Sequence, residues 1–276
     1  MSLSSCCGTF SQQHLPMHTL SVPEKTGVED VTKNGRFACL TYHVVGRGTN
    51  QYTITETQFQ AQLALLKAEV YVGEGFEQLE DRLRANALVP ARYVVITVDD
   101  GHESSMRAAD LLEAYGCRAT FFLTRDRSLK KRGFIREPEI RDLRKRGFSL
   151  GTHGTTHHKL TFLPEVSCVK ELRESKHWLE DVIGEEVRYM AAPGGFINSR
   201  VMKLTHEEGY VLAGTCNEWM NSSETMILRG KVNRVNIRQH FSTEDFRRIV
   251  EGDLTFYLWR QARAAALAIP KQLIRN

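Results

Sequence analysis

A chain of 276 residues can form one large α/β domain or two small ones. With 41% hydrophobic, 25% charged and 9% aromatic residues, it is neither disordered nor fibrous, and it has enough apolar material for a full core. A formal charge of +4 tolerates an anionic partner but does not argue for nucleic acid, and no stretch is long and apolar enough to span a bilayer.

Residues 1–35 are polar, carry Pro16, Pro23 and Gly27, and show no sustained period. They are expected to form a poorly ordered arm ahead of a single domain over 36–276. The first residues lack a basic start followed by an apolar run, so they do not read as a signal peptide. A cytoplasmic protein is the default expectation, with an extracytoplasmic protein that has lost its leader as the alternative. The six cysteines (Cys6, Cys7, Cys39, Cys117, Cys168, Cys216) show neither a C-x-x-C pair nor an even framework, and are read as small buried hydrophobes.

From Phe37 the pattern alternates. Phe37–His43 is a short apolar run, hence a buried strand, and Thr55–Glu69 has helical spacing of Phe59, Leu63 and Leu66 with Thr55 as N-cap. Tyr93–Val98, apolar throughout and rich in β-branched residues, is the strongest strand. Then come a helix over 103–115 stopped by Gly116, a strand over 119–124, a helix over 138–146 and a strand over 148–152. A long helix over 164–183 precedes Gly184, followed by a strand over 188–192, a helix over 199–208 and a strand over 210–215. Val232–Ile237 is a last strand, and helices near 243–251 and 254–268 close the chain; the latter, which mixes aromatics with Arg260 and Arg263, is expected to pack as an amphipathic helix on the domain, with a membrane surface as the alternative. Strand and helix alternate without a linker, so the fold class is α/β with a parallel sheet, open or closed.

Asp99-Asp100-Gly101 directly follows the strongest strand, at the end where catalytic groups collect in parallel α/β folds. The plain alternative is a strand-to-helix turn. His153-Gly-Thr-Thr-His157-His158 follows a second strand end, and a spacing of four brings two imidazoles together if the segment turns helically. Its plain alternative is a solvated histidine-rich loop. A zincin protease is excluded because no Glu follows His153. Taken together, Asp100, His153 and His157 form a three-ligand set for one divalent metal, with positions left open for water and substrate.

These segments resemble motifs of the polysaccharide deacetylases (the NodB-homology, carbohydrate esterase family 4 group). Thr97-Val-Asp99-Asp100-Gly101 is similar to their Thr-Phe-Asp-Asp-Gly, and His153-Gly-Thr-Thr-His157 to their His-Ser/Thr-x-x-His. Leu40-Thr-Tyr-His43 and Gly209-Tyr210 also look like this family. The resemblance implies a single-domain distorted (β/α)7-type barrel and metal-dependent hydrolysis of an N-acetyl group on an amino-sugar glycan or glycan precursor. It implies Asp99 as general base and Asp100, His153 and His157 as metal ligands. Zinc is the first expectation for the cation, with cobalt, nickel or manganese as alternatives.

The chain departs from the family pattern in three places. The Arg-x-Pro-x-Gly motif reads Ala191-Ala-Pro193-Gly194-Gly195, so the arginine that would tune the base is missing. The Asp-Trp pair is at best echoed by Glu218-Trp219. The Leu-x-His motif of the general acid finds a literal match only in Leu204-Thr-His206, inside an expected helix, and is rejected there. His43, His102 and His240 are the replacement candidates for the acid. Pro193, Gly194 and Trp219 are expected at the substrate. The run Asn233-Arg234-Val-Asn-Ile237 resembles members linked to exopolysaccharide assembly. An amidohydrolase of the same fold acting on a small non-sugar amide, and a non-catalytic metal-retaining glycan-binding protein, are the alternatives that these departures motivate.

Overall fold

The computed structural model describes residues 35–268, apart from 88 and 223–228, with side chains to 263. The predicted arm up to residue 34, with Cys6 and Cys7, lies outside the described residues. Strand β1 (Arg36–Tyr42) is buried from Phe37 onward, as its apolar run requires. A short excursion through β2 (Val44–Val45) and β3 (Thr53–Ile54) leads to α1 (Glu56–Ala68). Thr55 caps this helix in a capping box with Gln58, and Phe59, Leu63 and Leu66 bury its inner face. Each such side chain contributes about 1.5–3 kcal/mol by leaving water.

Several short elements are absent from the sequence reading, among them β4 (Val72–Glu74) and α2 (Phe76–Arg84). The strand is three residues long and the helix is highly charged, so neither carries enough apolar period to declare itself. The central strand β5 (Tyr93–Asp100) is followed by α3 (Ser104–Ala114), β6 (Thr120–Leu123), α4 (Arg125–Lys130) and α5 (Glu137–Lys145). Then come β7 (Ser149–Thr152), α6 (Glu165–Ile183), β8 (Tyr189–Ala191), α7 (Ser199–Glu207) and β9 (Leu212–Gly214). Gly184 ends α6 at φ 72°, a left-handed position open to glycine.

The main sheet runs β1-β5-β6-β7-β8-β9 with parallel neighbours, β4 pairing beside the first half of β5. The expected last strand over 232–237 is broken in two. β11 (Lys231–Val232) pairs with β9, whereas β12 (Val235–Asn236) pairs with β1 at the opposite edge. The chain therefore steps across the gap at Asn233-Arg234 and brings the two edges of the sheet together. A short β10 (Asn221–Ser222) adds an antiparallel pairing outside β1. The result is a single α/β domain with a nearly closed barrel-like sheet, its parallel strands delivering their carboxyl ends to one rim. The helix Thr243–Glu251 and the terminal helix Leu254–Ala268 follow; Phe256 and Tyr257 bury one side of the latter, while Leu254, Leu258 and Trp259 stay exposed.

Candidate active site

β5 ends on Asp99 and Asp100, which point to different neighbours because successive side chains of a strand alternate. Asp99 is buried inside the barrel and Asp100 opens toward the rim. Asp100 has φ 79° and Gly101 φ 73°. His157 is likewise left-handed, at φ 70°. Among the described non-glycine residues only Val70 and Asn86 share that region, so two of four such positions fall within the expected ligand set. Backbone strain concentrated at one cluster is the mark of a functional constraint.

Nε2 of His157 lies 3.2 Å and Nε2 of His153 3.6 Å from Oδ1 of Asp100. One donor atom from each of the three residues falls within 4.8 Å of the others. The donor chemistry fits a divalent transition metal. Nδ1 of His153 is 2.8 Å from the carbonyl of Ala191, which fixes the proton on Nδ1 and turns the Nε2 lone pair into the cluster. Burial pushes the His153 imidazole down to about 4 against the pull of Asp99 and Asp100, so it is neutral, as a ligand must be. Burial raises the Asp100 carboxyl, but contact with His157 and the charges of His153 and Arg127 hold it well below the usual range. Its Oδ1 is buried without a hydrogen-bond partner. Arg127, from α4, places Nη1 2.5 Å from that oxygen, outside hydrogen-bonding geometry.

The loop carrying His157 is anchored from below. Glu171 of α6 accepts the backbone N–H groups of Thr155 at 2.8 Å and Thr156 at 2.9 Å, and the Thr156 hydroxyl at 2.5 Å. A Cβ on Gly154 would sit 3.0 Å from the same carboxylate, and Gly154 has φ 75°, so both space and conformation call for glycine there.

The arginine missing at Ala191 is supplied from elsewhere in the fold. Arg234, at the step between β11 and β12, is 0% exposed. It donates Nη1 to Oδ1 of Asp99 at 2.7 Å and Nη2 to Oδ2 at 2.9 Å, a two-pronged pair. Nε donates to the Thr215 carbonyl at 3.1 Å and Nη1 also to the Thr97 hydroxyl at 3.2 Å. Gly214 leaves room for it, since a Cβ there would fall 2.7 Å from Nε. Burial acts to raise the Asp99 carboxyl, but Arg234 and then His153 outweigh it and hold Asp99 below the usual carboxylate range.

A pocket of about 310 Å³ opens over these groups, lined by Asp99, Asp100, His153 and His157 together with His43, Asn50 and Tyr52. His43 follows β1, stacks on Tyr52 with ring centres 5.0 Å apart, and has a buried Nδ1 without a hydrogen-bond partner. Of the expected substrate residues, Gly194 lines this pocket and Pro193 lies buried beside it. Trp219 is not among the lining residues and packs edge-on against Tyr257 at 5.7 Å. His102 is turned away, its Nδ1 2.9 Å from the Ser104 hydroxyl and its ring against Phe134. His240 is exposed beside Phe241, and His206 sits in α7 near the Tyr210 carbonyl. Cys39, Cys117 and Cys168 are buried as expected, but Cys216 lines the pocket. Arg234, Arg127, Tyr52 and Glu171 are the site groups that sequence reasoning passed over. The one available signal was Arg234, a charge set inside an otherwise apolar strand pattern.

A sequence model of the polysaccharide deacetylase family matches residues 87–213, the stretch that carries both motifs. The chain carries a polysaccharide deacetylase domain. It is 23% identical over 230 residues to YxkH of Bacillus subtilis, whose name assigns it provisionally to the polysaccharide deacetylases, covering 78% of this chain and 82% of the relative. The peptidoglycan-N-acetylglucosamine deacetylase of Bacillus cereus is 26% identical over 121 residues, 43% of this chain and 54% of that protein. Among solved structures, the Streptococcus pyogenes deacetylase PplD, in complex with acetate, superposes with a TM-score of 0.72 at 21% identity, over 79% of this chain and 100% of that one. A de-N-acetylase from Aggregatibacter actinomycetemcomitans gives 0.70 at 17% identity, over 78% and 100% of the two chains. These structural likenesses establish the barrel of the family.

Proposed function

We propose that this deacetylase-family protein hydrolyses the N-acetyl group of an amino sugar within a glycan or glycan precursor, with one divalent cation held by Asp100, His153 and His157. The observation that supports it most is the coincidence of the three-ligand cluster with a buried, arginine-paired carboxylate next to it. A cation bound there would supply Lewis-acid polarisation of the acetyl carbonyl and acidify water. Asp99, ionised and oriented by Arg234, takes the proton as water adds to the carbonyl carbon. His43, which lines the same pocket, gives a proton to the amine nitrogen as the C–N bond breaks, releasing acetate. That place distinguishes it from His102 and His240, neither of which lines the pocket.

Acetate release from N-acetylglucosamine oligomers, lost on chelation and restored by Zn²⁺ or Co²⁺, is the test. The expected result is metal-dependent release that Asp99→Asn abolishes. No release from any acetylated glycan, with turnover of small non-sugar amides instead, would overturn the sugar reading.

A further inference from the structure

Large apolar side chains left in water forgo the gain of burial, so their placement is informative. Phe162 (79% exposed) and Phe196 (55%) are the exposed phenylalanines among the described residues. They come from distant parts of the chain yet meet at one side chain: Nζ of Lys159 lies 5.9 Å from the ring centre of Phe162 and 5.0 Å from that of Phe196.

Both rings stand on rigid supports. Phe162 ends a 3₁₀ turn, Leu160–Phe162, whose Leu160 is buried. Nη2 of Arg200 donates to the Leu163 carbonyl at 2.9 Å and to the Leu160 carbonyl at 3.4 Å, pinning the turn. Phe196 follows the tight turn Pro193–Gly195, closed by Gly195 N–H to the Ala192 carbonyl at 2.7 Å and by Cys216 N–H to the Gly195 carbonyl at 3.1 Å. A Cβ on Gly195 would fall 2.2 Å from that of Cys216, so this turn is packed without slack. Exposed aromatic rings on pinned turns lose little freedom when a ligand lands on them.

The patch is also continuous with the catalytic pocket. Lys159 is two residues beyond His157, and both Gly194 and His157 line the pocket. Lys159 Cε and Phe196 Cδ2 would be 3.2 and 3.5 Å from a Cβ on Gly194, so they crowd the pocket mouth from outside. A pocket of about 310 Å³ is at the small end for ligand sites, so most of a polymer lies outside it, and this patch adjoins its rim at Gly194.

We infer that Phe162, Lys159 and Phe196 form a glycan subsite that binds a sugar ring neighbouring the one whose acetamide is hydrolysed. The apolar face of a pyranose suits an aromatic ring, and the ammonium supplies donors for its hydroxyl or acetamido oxygens. The inference rests on the sugar reading above and extends it: the substrate is a chain rather than a single sugar.

The test compares N-acetylglucosamine and its oligomers up to the pentamer. Binding is measured by calorimetry on zinc-loaded Asp99→Asn protein, and turnover on the active enzyme. Affinity and kcat/KM are expected to rise with chain length, and Phe162→Ala/Phe196→Ala should cut the pentamer-to-monomer ratio about tenfold. Phe162→Tyr should restore most of its share, and the thermal midpoint should hold. A length dependence that survives the double variant, or no oligomer binding at all, overturns the subsite. So does loss of binding to phosphatidylglycerol vesicles in the double variant with glycan binding intact, which would make the patch a membrane contact. Oligomer binding that needs both rings, without acetate release from the active protein, would keep the subsite and sink the hydrolytic reading.

Discussion

The two halves of the site are built in opposite ways. Asp100 and His153 stand at the ends of β5 and β7 in one parallel sheet, His157 follows four residues after His153, and the backbone of Asp100 and His157 is left-handed. The half proposed to serve the base is assembled from remote pieces: Asp99 from the end of β5, Arg234 from the closing step of the barrel, and His43 with Tyr52 from the segment after β1. The first half is local and chemical, so spacing reveals it. The second half depends on which strand lies beside which, and only the closed sheet reveals it. In this chain the guanidinium beside Asp99 therefore comes from the closing step of the sheet and not from the strand that ends at Ala191.

The comparison predicts that the halves fail differently. Removing a ligand should have the largest effect: His153→Ala is expected to abolish high-affinity Zn²⁺ binding by calorimetry and to lower deacetylation by a factor of about 10³ or more. Next comes the guanidinium. Arg234→Met should cut kcat/KM by roughly 10²–10³ and cost about 3–5 kcal/mol in denaturant unfolding, because it strands a buried carboxylate. Arg234 holds the Asp99 carboxyl low, so its removal moves the acid limb of the pH–rate profile to higher pH, and Arg234→Lys should fall between. A profile unmoved in Arg234→Met would detach the arginine from the base.

Smaller effects sharpen the boundary. His43→Gln is expected to lower kcat about 10²-fold with metal affinity intact, whereas His102→Gln and His240→Gln should change it less than about twofold. Glu171→Gln should weaken metal binding roughly tenfold with little change in kcat at saturating metal, since Glu171 touches only the backbone and threonine of the ligand loop.

Much of the fold was legible. The apolar run before Asp99, the Thr55 cap with Phe59, Leu63 and Leu66, and the glycine after α6 each announce their element through local chemistry. β4, α2 and α4 were not legible, being too short or too charged for apolar period to mark them. The run 232–237 reads as one strand because Val232, Val235 and Ile237 are apolar, yet the chain breaks at Asn233-Arg234 to pair with both edges. That break aims Arg234 inward, so the misread strand and the overlooked arginine have one cause. Trp219 illustrates the reverse: an aromatic beside a family-like motif that serves the core contact with Tyr257.

The central claim is that one metal half and one base half, separately built, cooperate at Asp99 and Asp100. Zinc calorimetry paired with acetate release on the same preparations of wild type and Arg234→Met tests it most directly. The account predicts equal zinc affinity in the two proteins and a loss of at least about 10² in release for the variant. A variant that loses zinc affinity and activity together, or a wild type that binds no zinc, would contradict it.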